Sequence, residues 1–297
     1  MPTPLPLVSV LIPCYNYGHF LAEAVDSALN QTHPNMEILV LDDASTDNTR
    51  QVAESYGCRI RYCALPHSGQ QATLNTGLDQ ARGEYFVCLD ADNVLKPGFV
   101  EKTLACLATC QDPSVAFVYT ARQLFGSRDE VIRPPEFDLA KLKLRNYIDI
   151  CVLARASDFR TIRFSVTRDL APVLDLDFFL SLATRGKGGM LLDEPLTCYR
   201  IHSESVTSRA TQRYHQVKNM RAIIHRHAHL YSRLEKSAAI AEARNRVRLA
   251  IIHNRRPGRP LSARLIDLGY LIATRPAFNQ LQDQFRYTLT GTAPLPS

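Results

Sequence analysis

The sequence predicts an α/β protein with a mainly parallel central sheet, followed by a C-terminal helical extension. Three observations carry this expectation. Apolar runs alternate with helical patterns through the first 120 residues, as in βαβ units. The runs are continuous rather than alternating, which suits strands covered on both faces. Beyond Thr211, apolar Tyr214, Val217, Ile224, Tyr231 and Leu234 recur at roughly helical spacing among many arginines.

Val8 to Ile12 is the first strand, ended by Pro13. Phe20 to Leu29 has helical spacing, with Phe20, Leu21, Ala24, Val25, Ala28 and Leu29 on one side. Glu37 to Leu41 is the second strand and stops at Asp42-Asp43. Ser45-Thr46-Asp47 then offers a helix N-cap with an acid in the first turn, and the helix runs to about Tyr56. Ile60 to Leu65 is a third strand. A helix from about Gln70 to Ala81 ends at Gly83, and Tyr85 to Leu89 is the fourth strand. Lys96-Pro97-Gly98 breaks the chain before a helix to Cys110, and Val115 to Tyr119 is the fifth strand.

Between Gly126 and Arg163 the pattern blurs, and Pro134-Pro135 with charged neighbours reads as loops. Asp175 to Thr184 is again helical, ended by Gly186, Gly188 and Gly189. Asn254 to Pro260 reads as a linker or sharp turn, and Leu261, Leu265, Leu268 and Ile272 form a second helical stripe. The expected division is a domain over 7–208 and a basic helical extension over 209–297.

Composition narrows the classes. The apolar share of 45% is that of a globular protein, far from disorder. Eight scattered cysteines contain no Cys-x-x-Cys pair, which argues for reduced, mostly buried thiols and against zinc or disulfides, hence a cytoplasmic setting. Met1 to Pro6 carries no positively charged side chain and three prolines, so Leu7 to Ile12 is read as a strand and not as part of a leader. No apolar stretch approaches the roughly 20 residues a membrane span needs.

Net charge is asymmetric. Up to Ser208 there are 19 Lys+Arg against 25 Asp+Glu; from Arg209 onward there are 16 against 4, so a body of −6 precedes a tail of +12. Such a tail suits an anionic membrane surface, which would place the protein peripherally at the inner face of a membrane, or is a solvated helical face. It lacks any zinc, helix-turn-helix or aromatic-basic signature, so no nucleic acid is expected.

The chemistry concentrates at strand ends. Val87-Cys88-Leu89-Asp90-Ala91-Asp92-Asn93 is an apolar run closing on two carboxylates spaced i, i+2. Asp and Asn are also ordinary turn residues. At a sheet edge, however, paired acids repel and lose hydration, so they need a cation or another partner, and oxygen ligands suit Mn²⁺ or Mg²⁺. The first strand ends Pro13-Cys14-Tyr15-Asn16 and the second Asp42-Asp43-Ala44-Ser45-Thr46-Asp47. In a parallel sheet these ends share one edge, where an acid and an aromatic can hold a base beside the metal pair. No Gly-x-Gly-x-x-Gly follows the first strand and no phosphate-loop motif occurs, so dinucleotide and P-loop readings fail on their motifs.

These ordered segments resemble the family-2 glycosyltransferases of GT-A fold. The likeness runs through Val8–Asn16, Leu41–Asp47, Gly69-Gln70-Gln71-Ala72, Asn75-Thr76-Gly77-Leu78, Arg82-Gly83-Glu84-Tyr85 and Leu89–Asn93. It reappears at Pro195-Leu196-Thr197-Cys198-Tyr199-Arg200-Ile201-His202-Ser203-Glu204-Ser205, so it covers about two-thirds of the chain. It implies a Rossmann-like nucleotide-sugar-binding domain and an inverting, metal-dependent sugar transferase. The donor it implies is a nucleoside-diphosphate sugar, in first place a UDP-sugar. A cell-surface glycan or a lipid-linked sugar is the expected acceptor.

Residue by residue, the resemblance assigns Pro13, Tyr15 and Asp43 to the nucleoside, with Asp43 accepting from the base. Asp92 is the main metal ligand, and Asp90 contacts ribose or metal. Arg200 or His202 closes over the diphosphate, and His202 is a third metal or phosphate contact. The family's base lies in a Glu-Asp-x-Asp pattern opening a helix; here Leu174-Asp175-Leu176-Asp177 lacks the first acid and matches Asp175 to the second, leaving Asp177 to a structural ion pair. A Gly-Gly-Phe-Asp segment usual in relatives is absent from Phe164 to Val173, and Asn93 replaces a third acid. Two other classes remain open at this point: a non-catalytic sugar-nucleotide-binding or scaffold protein, and a nucleotidyltransferase.

Overall fold

A computed structural model of the protein describes residues 5–202 and 212–253. Among these, 5–139 and 146–202 form one compact unit, and 140–145 with 212–253 form a second. The linker expected at Asn254 to Pro260 and the stripe from Leu261 to Ile272 lie outside the described residues, as do Ser203-Glu204-Ser205.

The first unit is built on one nine-stranded sheet. Its strands are β1 (Val8–Cys14), β2 (Met36–Asp42), β3 (Arg61–Ala64), β4 (Tyr85–Cys88), β5 (Val94–Leu95), β6 (Val115–Gly126), β7 (Glu130–Ile132), β8 (Leu153–Arg155) and β9 (Gly188–Ile201). They lie in the order β3-β2-β1-β4-β8-β6-β9-β5, with β7 on β6. From β3 through β4 every pairing is parallel; β8 then pairs antiparallel with both β4 and β6, while β6 and β9 run parallel.

All seven residues of β1 are buried, as its continuous apolar pattern demands of a central strand. Pro13 is tolerated there for a specific reason. The Cys14 carbonyl accepts from Asp43 N on the β2 side and the Leu11 carbonyl accepts from Leu89 N on the β4 side, so Pro13 faces β4, whose pairing with β1 has already ended at Leu11. Its missing N–H therefore costs no ladder bond.

The helices α1 (Gly18–Leu29), α3 (Gln70–Gln80) and α4 (Phe99–Thr109) follow the expected strands. In α1 the buried face is Leu21, Ala24, Val25 and Ala28. Between α1 and α3, α2 (Thr49–Glu54) opens later than its Ser45-Thr46-Asp47 signal implies, because Asp47 is spent outside the helix. Its two carboxylate oxygens accept from Gly18 N (2.9 Å) and Thr49 N (3.0 Å), which ties the first two strand-end loops together.

The stretch from Gly126 to Arg163 is more ordered than its pattern suggests: β7, α5 (Leu139–Leu144), β8 and α6 (Ala156–Ile162) lie within it. They are too short to show a period. The fifth strand, β6, runs on to Gly126. Gly188 and Gly189 do not simply end α7 (Leu174–Ala183); they begin β9. Gly189 pairs with Phe117, and a Cβ at 189 would intrude on the Phe117 ring. That ring also packs against Phe179 at 4.7 Å between centroids.

The second unit comprises residues 140–145, which include most of α5, with α8 (Gln212–Arg226) and α9 (Arg233–His253). Lys143 pairs with Glu235 and donates to the Leu230 carbonyl (2.7 Å), and Tyr231 OH donates to the Lys143 carbonyl (3.0 Å). Met220, Ile223, Ala239, Ala243 and Val247 fill its interior. Among the described residues no helix is long and apolar enough to cross a membrane. The eight cysteines are free; three are buried, four half-buried, and Cys58 is exposed.

Candidate active site

The C-terminal ends of β1, β2 and β4 meet at one edge, as parallel strands must. The loops leaving β1 and β2 are interlocked. Asn16 N donates to Ser45 Oγ (2.9 Å), and Thr46 N donates to Asn16 Oδ1 (2.7 Å). Asn16 (φ 57°) and Ala44 (φ 62°) both adopt left-handed backbone. Asn tolerates this conformation; for Ala44 it costs on the order of 1 kcal/mol, which the surrounding loop contacts must offset.

That interlocking lifts Tyr15 out of the sheet. Its side chain is 47% exposed and packs on His67, with ring centroids 4.7 Å apart and planes tilted by 30°. His67 Nδ1 lies 3.0 Å from Asp43 Oδ2. Asp43 is buried, and its carboxylate also accepts from Ser68 N (2.7 Å) and Gly69 N (3.0 Å). Gly69 makes this possible through its positive φ of 87°, just before α3. Asp43 thus fastens the loop that carries His67 beneath an open aromatic face. Pro13 lies in β1 at the same edge.

The second group sits past β4. Asp90 accepts from Gln70 Nε2 (3.0 Å), and Asn93 N donates to the Asp90 carbonyl, closing a turn over Asp90–Asn93. Asp92 Oδ2 is 3.0 Å from His202 Nε2. The Asp92 carbonyl accepts from Arg200 Nε (2.9 Å), and Asn93 Oδ1 accepts from Arg200 N (2.9 Å). The amide at 93 therefore does what an acid could not, accepting from β9 while its Nδ2 faces Asp90 at 3.5 Å. The Arg200 guanidinium lies between Phe20 (4.7 Å) and Phe125 (4.3 Å) and donates to Glu23 (2.7 Å). Arg200 is engaged by protein partners in this arrangement.

Asp175 lies in the first turn of α7. Burial first, then the charge of Asp149, push its pKa up to about 8, while Arg122 pulls in the other direction. Asp90 is likewise raised well above the carboxylate range, by burial and by the charges of Asp92, Asp149 and Asp175. Asp177 is buried in α7.

The site therefore contains two residues that the strand-end motifs do not reveal, Arg122 on β6 and Asp149 just before β8. They form an ion pair at 3.4 Å. A signal for Asp149 does exist: Ile148-Asp149-Ile150-Cys151-Val152-Leu153 sets one acid inside an apolar run, the same feature that marks Asp90.

Among the described residues, no three His, Cys, Asp or Glu side chains are grouped as a ready ligand set. The donor chemistry nevertheless fits a hard divalent cation. Asp90 and Asp92 offer carboxylate oxygens, and Asp90 is buried with the charges of Asp92, Asp149 and Asp175 opposing its own. Such a cation would take the rest of its shell from phosphate and water, as Mg²⁺ and Mn²⁺ sites on nucleotides do.

The family model for glycosyl transferase family 2 matches residues 9–171. A putative teichuronic acid biosynthesis glycosyltransferase, TuaG of Bacillus subtilis, is 31% identical over 211 residues, 68% of this chain and 82% of its own length. Several Rickettsia glycosyltransferases also match, but the aligned parts span only 21% to 38% of their lengths. Among solved structures, S. aureus TarS 1–349 in complex with UDP-GlcNAc superposes with a TM-score of 0.65 at 20% identity, covering 92% of this chain and 81% of that one. The mannosyltransferase PcManGT of Pyrobaculum calidifontis, with GDP-Man and Mn²⁺, gives 0.57 at 21% identity over 96% and 85%. These superpositions identify the fold as GT-A, mixed rather than wholly parallel in its sheet.

Proposed function

Because this chain belongs to glycosyl transferase family 2, we propose that it is a metal-dependent inverting sugar transferase acting on a nucleoside-diphosphate sugar, in first place a UDP-sugar. One observation carries the reading. An exposed aromatic platform after β1, a pair of acids after β4 and a buried carboxylate of raised pKa on α7 all belong to one compact unit.

In this reading the base of the nucleotide stacks on Tyr15, beside Pro13, with Asp43 and the 67–69 loop at its edge. Asp90 and Asp92 would hold Mn²⁺ or Mg²⁺, with His202 beside Asp92. When bound, such a cation stabilises charge developing on the departing diphosphate. Arg200 lies beside the same turn and is the side chain that would swing toward the diphosphate. Asp175 takes the proton from the acceptor hydroxyl, which attacks the anomeric carbon from the face opposite the leaving group. Its raised pKa fits a proton acceptor working near neutral pH.

The acceptor is a growing cell-surface glycan or a lipid-linked sugar, in keeping with the name of its relative TuaG, a putative teichuronic acid biosynthesis glycosyltransferase. Residues 209–297 form a basic extension that rests on an anionic membrane surface from the cytoplasmic side. Its +12 balance supports this, since each Lys or Arg near an anionic leaflet contributes about 1 kcal/mol.

The deciding experiment measures what leaves the donor. UDP-sugars and GDP-sugars are incubated with the full chain, Mn²⁺ and glycan or lipid-linked acceptors. Released nucleoside diphosphate together with acceptor elongation supports the transferase. Released pyrophosphate would make it a nucleotidyltransferase, and binding without turnover a scaffold.

A further inference from the structure

Four consecutive residues, His67 to Gln70, connect the aromatic platform to the metal turn. His67 packs on the Tyr15 ring at 4.7 Å between centroids. Ser68 N and Gly69 N donate to the two carboxylate oxygens of Asp43, at 2.7 and 3.0 Å. Gln70, the first residue of α3, donates from Nε2 to Asp90 Oδ1 at 3.0 Å. The other Asp90 oxygen faces Asn93 Nδ2 at 3.5 Å. Asp90 is therefore held between two side-chain amides, one from the platform loop and one from the turn that Arg200 clasps.

A helix start does not require this contact. Glutamine is a good helix former and could equally face water in a first turn. The kind of donor matters as well. An amide fixes a carboxylate by a hydrogen bond without cancelling its charge, so the acid stays attractive to a cation. Lysine or arginine at the same place would take the role of the cation.

We propose that Gln70 is a positioning residue that links the two halves of the site: a nucleobase on the Tyr15 platform settles the 67–70 loop, and Gln70 passes that order to Asp90, which then binds the divalent cation more tightly. The proposal rests on the reading of Tyr15 as the base platform and Asp90 as a metal ligand. Gln70 is assigned no contact with substrate. Because linkage is reciprocal, the cation tightens base binding by the same factor. The cation site is thus completed only when a nucleotide is seated.

Uridine tests this, since it carries base and ribose but no phosphate to touch the cation. Mn²⁺ binding to the full chain is followed by the loss of the free-ion paramagnetic resonance signal, without and with saturating uridine. In wild type, uridine should tighten Mn²⁺ by at least about five-fold. In Gln70→Leu, Mn²⁺ should bind about 10- to 100-fold more weakly, as when a ligating carboxylate loses its hydrogen bond, and uridine should no longer change it. Metal-free uridine affinity should stay at the wild-type value, because the donors to Asp43 are backbone N–H groups that the substitution leaves in place. Gln70→Lys should exclude Mn²⁺ with uridine affinity kept, and serves if Gln70→Leu does not fold.

Wild-type Mn²⁺ affinity in either variant, or a uridine effect that persists in Gln70→Leu, would overturn the proposal. So would a parallel loss of uridine and Mn²⁺ binding, which is what a merely structural role would give. A wild-type protein that binds Mn²⁺ and uridine independently would bring down this inference alone. One that takes up no Mn²⁺ even with UDP would bring down the metal reading and this inference with it.

Discussion

His202 Nε2 and Asp92 Oδ2 lie 3.0 Å apart although 110 residues of chain separate them. The imidazole is backed by Phe20 at 4.9 Å and Tyr17 at 5.8 Å between ring centroids, so it meets Asp92 in a defined orientation. Asp92→Ala should abolish donor turnover and remove the Mn²⁺ dependence of nucleotide binding while the fold survives, as read by isothermal titration with and without EDTA. Full activity in EDTA, or in the variant, would remove the metal from the mechanism.

Asp175→Asn keeps the shape and removes the proton acceptor. Transfer should fall by about 10²- to 10⁴-fold, the usual contribution of a general base, with nucleotide affinity nearly unchanged. Asp177→Asn should lower the unfolding temperature more than the rate, because Asp177 is buried within α7. Initial rates and thermal melts on both variants separate the roles, and a reversed pattern would move the base to Asp177.

Asp175 also links folding to pH. In an unfolded chain it ionises near about 4, and in the folded protein, through burial and Asp149, near about 8. Between those values the native state holds the extra proton, so this group's contribution to stability falls as pH rises from about 4 to about 8 and is level above that. Metal-free melts of wild type and Asp175→Asn should therefore converge toward pH 4 and diverge toward pH 8, with the variant the more stable. Parallel curves would mean that the carboxyl is not held protonated.

Tyr15 presents its face to solvent over His67. Base–aromatic stacking is worth about 1–3 kcal/mol, so Tyr15→Ala should weaken nucleoside diphosphate binding at least several-fold, without metal as well as with it. Unchanged affinity in both conditions would place the base elsewhere.

Gly189→Ala tests the sheet rather than the chemistry. A methyl group there meets the Phe117 ring, which is already packed on Phe179. Overpacking of this kind costs about 1–3 kcal/mol and should appear as a lower denaturation midpoint with an unaltered slope.

The parts of the fold legible in the sequence are those where one physical rule acts alone. Val8 to Cys14 is buried on both faces and reads as an unbroken apolar run; Leu21, Ala24, Val25 and Ala28 repeat at helical spacing because one face meets the sheet. Short elements escaped that logic. The three residues of β8 show no period, and their place between β4 and β6 is set by pairing with distant strands. Gly188 and Gly189 look like helix terminators until Phe117 and Phe137 are seen to need their missing side chains. Asp90 and Asp92 stood out because two acids follow an apolar run. Asp149 carries the same mark, but its partner Arg122 is 27 residues away and no spacing rule joins them.

The clasp between Arg200, His202 and the Asp90–Asn93 turn bears on how the protein emerges from the ribosome. The four-strand parallel block needs only the chain up to Cys88, whereas the clasp waits for more than a hundred further residues. At about 5–20 residues per second that interval lasts on the order of ten seconds, long enough for the early block to collapse first. Until β9 arrives, Asp92 stands without its imidazole and, once made, β6 without the edge that β9 will cover. A nascent chain stalled before Gly188 would thus carry a nucleotide platform and a bare strand edge. That intermediate is the one most in need of a chaperone.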